Sequence, residues 1–286
     1  MSKRILLPAV LVLCCAALLI NLFGACAKDE ENTAVTSTSP LPEEAKTDTV
    51  RDAAFGYTLY KTYAEVTSYF GQGTTAIVPQ TVSSLPVRSV GDGAFRSNHT
   101  LTHVTLPDSV VNIGASAFAD CTELQSITAN GVRAIGVSAF RDSGLCEFTV
   151  PGCLQNLGQY AFSGTAFKSF ALNGSIAIVG DYCFANCAYL ESVTLSPAIH
   201  QISSHMFYNC PALKSFTVPE SVTSVGDYAF ASCINLESVF IPASVKKIED
   251  GIFYGSDKAS VLTPAGSTAH DYCTRFSLPV TLQDNP

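Results

Sequence analysis

Large apolar side chains recur along this chain at a nearly fixed interval. Phe95, Phe118, Phe140, Phe162, Phe184, Phe207, Phe230 and Phe253 stand 22 or 23 residues apart, and five of the eight follow Ala. After each Phe comes an alternating stretch, as in Leu101-x-x-Val104-x-Leu106, Leu190-x-x-Val193-x-Leu195, Leu213-x-x-Phe216-x-Val218 and Leu236-x-x-Val239-x-Ile241. The last two apolar positions flank a single residue, so in an extended chain they share a face and predict a short strand. A second apolar pair then ends in Gly: Val110 with Ile113-Gly114, Val132 with Ile135-Gly136, Val222 with Val225-Gly226. Gly there suits either a turn with positive φ or a close approach of backbones. Pro107, Pro219 and Pro242 follow their strands and stop further pairing.

A period of this length means a repeat architecture. No unit can bury its own apolar edge, so stability must come from stacking on its neighbours. Identical stacked units predict an in-register parallel sheet on a concave side and returning turns on a convex side, where the repeat Phe fills the core. The L-x-x-L-x-L core, followed by Ile-Gly, Ala-Phe and a small residue three after the Phe, resembles the BspA-like class of bacterial leucine-rich repeats. The resemblance implies a leucine-rich repeat solenoid. Repeats are expected over 91–256, a β-rich N-terminal cap over 55–90, and a C-terminal cap over 257–286 with a short helix near Ala265 to Cys273.

The chain's start has a different grammar. Lys3 and Arg4 precede an apolar run from Ile5 to Phe23, and Gly24-Ala25-Cys26 closes it. A basic head, an apolar middle and small residues before a break describe an export signal over 1–25. Two small residues before Cys26 resemble a lipobox, which implies lipid attachment at Cys26; Ala25-Cys26-Ala27 also fits an ordinary cleavage site. Residues 26–54 are rich in Thr, Ser, Pro, Asp and Glu, with too few large apolar groups to fold, and read as a disordered tether. The domain is therefore expected outside the cytoplasmic membrane, at the cell surface or in the periplasm.

Composition narrows the functional classes. A formal charge of −8 with no basic block argues against nucleic acid. No nucleophile elbow, P-loop or dinucleotide fingerprint is present. Even spacing leaves no insertion to shape a cleft, so no catalytic residue and no cofactor is assigned and an enzyme is not expected. No C-x-x-C occurs and the five His are scattered over different units, so no metal site is assigned. Cys121, Cys187, Cys210 and Cys233 share one slot, three after the repeat Phe, with Asn98, Ser143, Thr165 and Ser256. Such a slot suits a buried turn in which the side chain bonds to nearby backbone.

What remains is the concave face. Its outward pairs read His103 and Thr105, Ser126 and Thr128, Glu147 and Thr149, Ser169 and Ala171, Ser192 and Thr194, Ser215 and Thr217, Ser238 and Phe240. On a solvated sheet Ser and Thr can simply pair across strands. As a binding floor of small side chains they would let a partner come close. Phe240 is expected to be an exposed aromatic anchor, with His103 and Glu147 marking the other end. The resemblance implies an adhesin-like contact with a protein or glycan, such as host extracellular matrix or another cell, besides the membrane held through lipid on Cys26. The alternative is a periplasmic scaffolding lipoprotein with no host ligand.

Overall fold

A computed structural model describes residues 41–283. They form a β-solenoid of about ten turns, and each coil contributes three segments in a fixed order. The first is a three-residue strand, as in His103–Thr105, Ser126–Thr128, Ser215–Thr217 and Ser238–Phe240, with its middle residue buried. The second is a two-residue strand ending in the apolar residue before Gly. These pair in parallel from Asn112–Ile113 through Ala134–Ile135 and Asn156–Leu157 to Ile178–Val179. The third is the Phe turn. The expectation of one sheet and returning turns is therefore extended: the Ile-Gly segment builds a second parallel sheet.

The Phe turns stack as the period requires. Successive rings from Phe95 to Phe253 lie 4.7–5.9 Å apart, centroid to centroid, and within 21° of parallel. Tyr69 begins the column against Phe95 at 5.3 Å. Backbone bonds cross from coil to coil beside the rings, as from Phe118 N to Ala139 O (2.7 Å) and Phe140 N to Ala161 O (2.9 Å). Turning this sharply takes two left-handed residues per coil, two before and two after the Phe, such as Ser138 (φ 56) and Asp142 (φ 54) around Phe140. The second position holds Ser97, Asp120, Asp142, Gly164, Asn186, Asn209, Ser232 or Gly255, residue types that tolerate this conformation or bond locally to hold it.

The Gly after the apolar pair sits where backbones of adjacent coils approach closely. A Cβ on Gly114, Gly136, Gly158 or Gly180 would come within 2.4–2.7 Å of backbone in the preceding coil. Close stacking, not positive φ, demands Gly there.

The N-terminal cap differs from its expected bounds. Lys46–Arg51 (β1), inside the stretch expected to be tether, is a strand antiparallel to Phe55–Tyr60 (β2). Its side chains are nearly all exposed, so hydrogen bonding rather than burial fixes it, and hydropathy alone gave no sign of it. Ala64–Tyr69 (β3) pairs antiparallel with β2 and parallel with Leu85–Val90, which hands the sheet edge to the first coil. That coil starts near residue 74, not 91. Thr75–Ile77 lies in register with His103–Thr105. A hairpin turning at Ser83 and Ser84, both with positive φ, lengthens this coil and throws it out of phase. At the far end, within the expected C-terminal cap, Ser260–Thr263 continues the strand face. The helix Thr268–Phe276 follows, capped by Ser267 accepting from His270 N (3.1 Å). A further parallel strand, Val280–Leu282, closes the sheet. The signal at 1–25, Cys26 and the tether up to residue 40 lie outside the described residues.

Candidate binding face

The three-residue strands align their outward side chains in two rows. In register, Thr75, His103 and Ser126 form one row and Ile77, Thr105 and Thr128 the other. Ser126 bridges to Glu147, Ser169 pairs with Ser192 and Ala171 with Thr194, Ser215 with Ser238 and Thr217 with Phe240. Neighbouring side chains in a row thus stand one strand spacing apart, about 4.8 Å. His103, Thr105, Thr128, Glu147, Ser192, Thr194, Ser215 and Thr217 are exposed; Ser126 and Ser238 are half-buried.

Phe240 departs from expectation. It is only 9% exposed. In register it lies between Thr217 and the half-buried Leu262, so two large apolar residues in adjacent strands shield one another. It is part of the closing packing and not an anchor. The exposed apolar groups of this region are others. Ile77, 73% exposed, heads the Thr105 row, and Tyr189, 61% exposed, stands just before Leu190 at the rim. Ile77 was legible: Ala76-x-Val78-Pro79 repeats the pattern of Val104-x-Leu106-Pro107, hidden by the longer first coil. For Tyr189 no pattern gave a sign.

The hydroxyls of the face are open. Among the described residues, Thr105, Ser126, Thr128, Thr149, Ser169, Ser192, Thr194, Ser215, Thr217 and Ser238 make no side-chain hydrogen bond. Cross-strand pairing therefore does not account for them. Hydroxyls elsewhere are consumed internally, as in Ser109 to Val87 O (2.7 Å), Ser196 to Gly174 O (2.7 Å), Ser221 to Ile199 O (2.8 Å) and Thr263 to Ile241 O (2.7 Å). His103 Nδ1 lies 2.8 Å from Thr102 Oγ1, which donates to Thr74 O and so holds the imidazole in place beside Thr75.

The cysteine slot is structural. Cys121, Cys187, Cys210 and Cys233 are free and buried. Each thiol donates to the carbonyl of a Phe in the preceding coil, at 3.0, 3.3, 3.1 and 3.1 Å in that order. Ser256 does the same to Phe230 O at 2.7 Å. Burial pushes the Cys121 and Cys233 thiols up to about 11, so they stay protonated. Among the described residues no three His, Cys, Asp or Glu side chains gather as a metal site would require, and no helix is long and apolar enough to cross a membrane.

The profile of the BspA type leucine-rich repeat region matches in six copies, over residues 74–187 and 155–274. A leucine-rich repeat protein from Bacteroides ovatus is 24% identical with a TM-score of 0.58, covering 76% of this chain and 71% of that one. The T. pallidum leucine-rich repeat protein is 22% identical with a TM-score of 0.52, covering 83% and 100%. One from Eubacterium ventriosum is 22% identical with a TM-score of 0.50, covering 76% and 66%. At these identities the likeness speaks for the fold alone. No curated protein matches the chain.

Proposed function

Since the chain belongs to the BspA-type leucine-rich repeat family, we propose that it is an exported, lipid-anchored and non-catalytic protein that binds another macromolecule through its three-residue-strand face. The open hydroxyls carry this reading. Donors and acceptors fixed at strand spacing, with no internal partner, keep their full capacity for a ligand. An array of this kind suits an extended protein segment or glycan chain lying across several coils, with many modest polar contacts and bridging water. Ile77 would supply apolar contact beside Thr105, and His103 and Glu147 the polar and charged contacts. A contact of the adhesin kind, with matrix or another cell, fits such a face.

Export and anchoring rest on Lys3, Arg4, the apolar run and Cys26. Metabolic labelling with a fatty-acid analogue should mark the protein, and Cys26→Ala should abolish the label. Protease added to intact cells should degrade a surface-displayed chain; one spared in intact cells and cut in lysed ones is periplasmic. For the face, Thr128→Arg and Thr194→Arg put long charged side chains on the open floor without touching the core. Binding to panels of matrix proteins and glycans should fall at least tenfold in both, with unchanged circular dichroism. Equal binding by wild type and both variants would remove the face from the function.

A further inference from the structure

Beside the Ser row runs a column with a different character. The residues immediately before the strands are Thr102, Gln125, Cys146, Lys168, Glu191, Lys214, Glu237 and Ala259. Four consecutive coils therefore carry alternating charge, bounded at each end by an uncharged residue. All four charged side chains are exposed. The intramolecular account of such alternation is that neighbours pair across coils. They do not: the ion pairs of the described residues join Arg96 with Asp120, Arg141 with Asp142 and Lys247 with Glu249. The backbone groups them instead, with Glu191 N donating to Lys168 O (2.8 Å) and Glu237 N to Lys214 O (2.8 Å). The column is thus two Lys-Glu doublets of the same polarity, in sequence along the solenoid.

An even run of alternating charges has a geometric property. Turned end for end by a two-fold axis between the second and third members, it meets its own complement. Lys168 then faces Glu237 of a second copy, and Glu191 faces Lys214, each pair occurring twice. That is the self-complementarity an isologous interface requires. The rim beside it agrees in shape. Tyr189, 61% exposed, stands two residues before Glu191, and the same slot before Lys214 holds the small Ala212. The two-fold sets each Tyr189 ring against Ala212 of the other copy, a large group against a small one. Ile234, 57% exposed, adds apolar surface in the outermost coil of the run.

We propose that this rim column is a homodimer interface, with the occupant a second copy of this chain docked antiparallel through Lys168, Glu191, Lys214 and Glu237 around Tyr189. Self-association of this kind does not require the hydroxyl floor to hold a ligand. Opposite charges across a partly solvated rim attract over a Debye length of about 10 Å at 0.1 M salt, so the dimer weakens as salt rises.

Sedimentation equilibrium of the full chain in density-matched detergent tests this. A concentration-dependent dimer, weaker at high salt, is expected. Lys214→Glu sets Glu against Glu191 of the second copy, and Glu191→Lys sets Lys against Lys214; each should weaken association at least tenfold. Joining the two changes restores opposite charges across the two-fold and should recover the dimer. In a head-to-tail contact shifted by one coil, the same double change sets Lys against Lys and Glu against Glu, so it cannot rescue. A chain that stays monomeric at low salt, or a double variant that fails to recover, overturns the proposal. The matrix and glycan panels, run on the Lys214→Glu chain, separate the two readings: lost dimer with retained ligand binding leaves the floor's role standing.

Discussion

Tyr182 and His205 lie face to face, ring centroids 4.2 Å apart and 15° from parallel, and Tyr228 covers the other side of the imidazole at 5.1 Å. With Tyr160, 4.6 Å from Tyr182, they make an aromatic ladder over four coils. All four occupy the left-handed position two before the repeat Phe, with φ of 52–57°, a conformation bulky residues seldom adopt. Mutual stacking is what the ladder offers in return. Since each ring covers the next, the ladder presents edges and not faces.

His205 therefore makes stability depend on pH. Burial holds its pKa below the usual value, with Asp227 opposing, and its Nδ1 is buried without a hydrogen-bond partner. Well above pH 6.5 both folded and unfolded imidazoles are neutral and contribute nothing. Below that, the unfolded chain takes the proton first, so stability falls until the folded pKa is passed. Urea melts of the wild type and His205→Tyr should diverge as pH drops from 7 to 5, with the wild type losing more. Parallel curves would exclude His205 as the source.

The Phe column sets the largest single-residue effect. Phe140 is fully buried between Phe118 at 5.2 Å and Phe162 at 5.4 Å. Phe140→Ala should cost about 3–5 kcal/mol in denaturant unfolding, and Phe140→Leu markedly less. Because a coil is held by its two neighbours, hydrogen exchange should speed most in the adjoining coils.

Two glycines should behave oppositely. A Cβ on Gly158 would lie 2.6 Å from Gly136 C and Val137 N, whereas one on Gly152 would meet no atom within 4 Å. Gly158→Ala should destabilise by about 3 kcal/mol through forced separation of coils. Gly152→Ala should stay within about 0.5 kcal/mol of wild type. Equal midpoints for the two variants would refute close stacking as the reason for Gly158.

Thiol labelling should sort the cysteines by place in the coil. Cys146 is exposed and Cys153 half-buried, while Cys121, Cys183, Cys187, Cys210, Cys233 and Cys273 are buried. Iodoacetamide at pH 8, read by peptide mass, should mark Cys146 first and the buried six only after unfolding. Cys233→Ser should be nearly neutral, since Ser256 already fills that slot with a 2.7 Å bond. Cys233→Val should cost about 1–3 kcal/mol by leaving Phe207 O without its thiol donor.

Much of the solenoid was legible because each coil repeats the same demands. Val104, Ile127, Val239 and the Phe column could be assigned to the core from spacing alone, and all are buried. The candidate face was legible to the same extent: alternation placed His103, Thr105, Thr128, Ser192, Thr194, Ser215 and Thr217 outward, where they lie. It failed at Phe240, because alternation says which way a side chain points and not what stands beside it.

The period, the order of strand, Gly pair and Phe turn, and the fate of each repeated apolar residue could be read from the residues alone, since these are properties every coil shares. The folded chain alone shows that Leu262 stands in register beside Phe240, that the face's hydroxyls lack partners, that Lys46–Arg51 extends the cap, and that the first coil begins near residue 74. Each of these depends on a neighbour brought close by the winding of the chain or the pairing of the cap. Such pairs have no signature in local hydropathy, because they become adjacent only once the chain has folded.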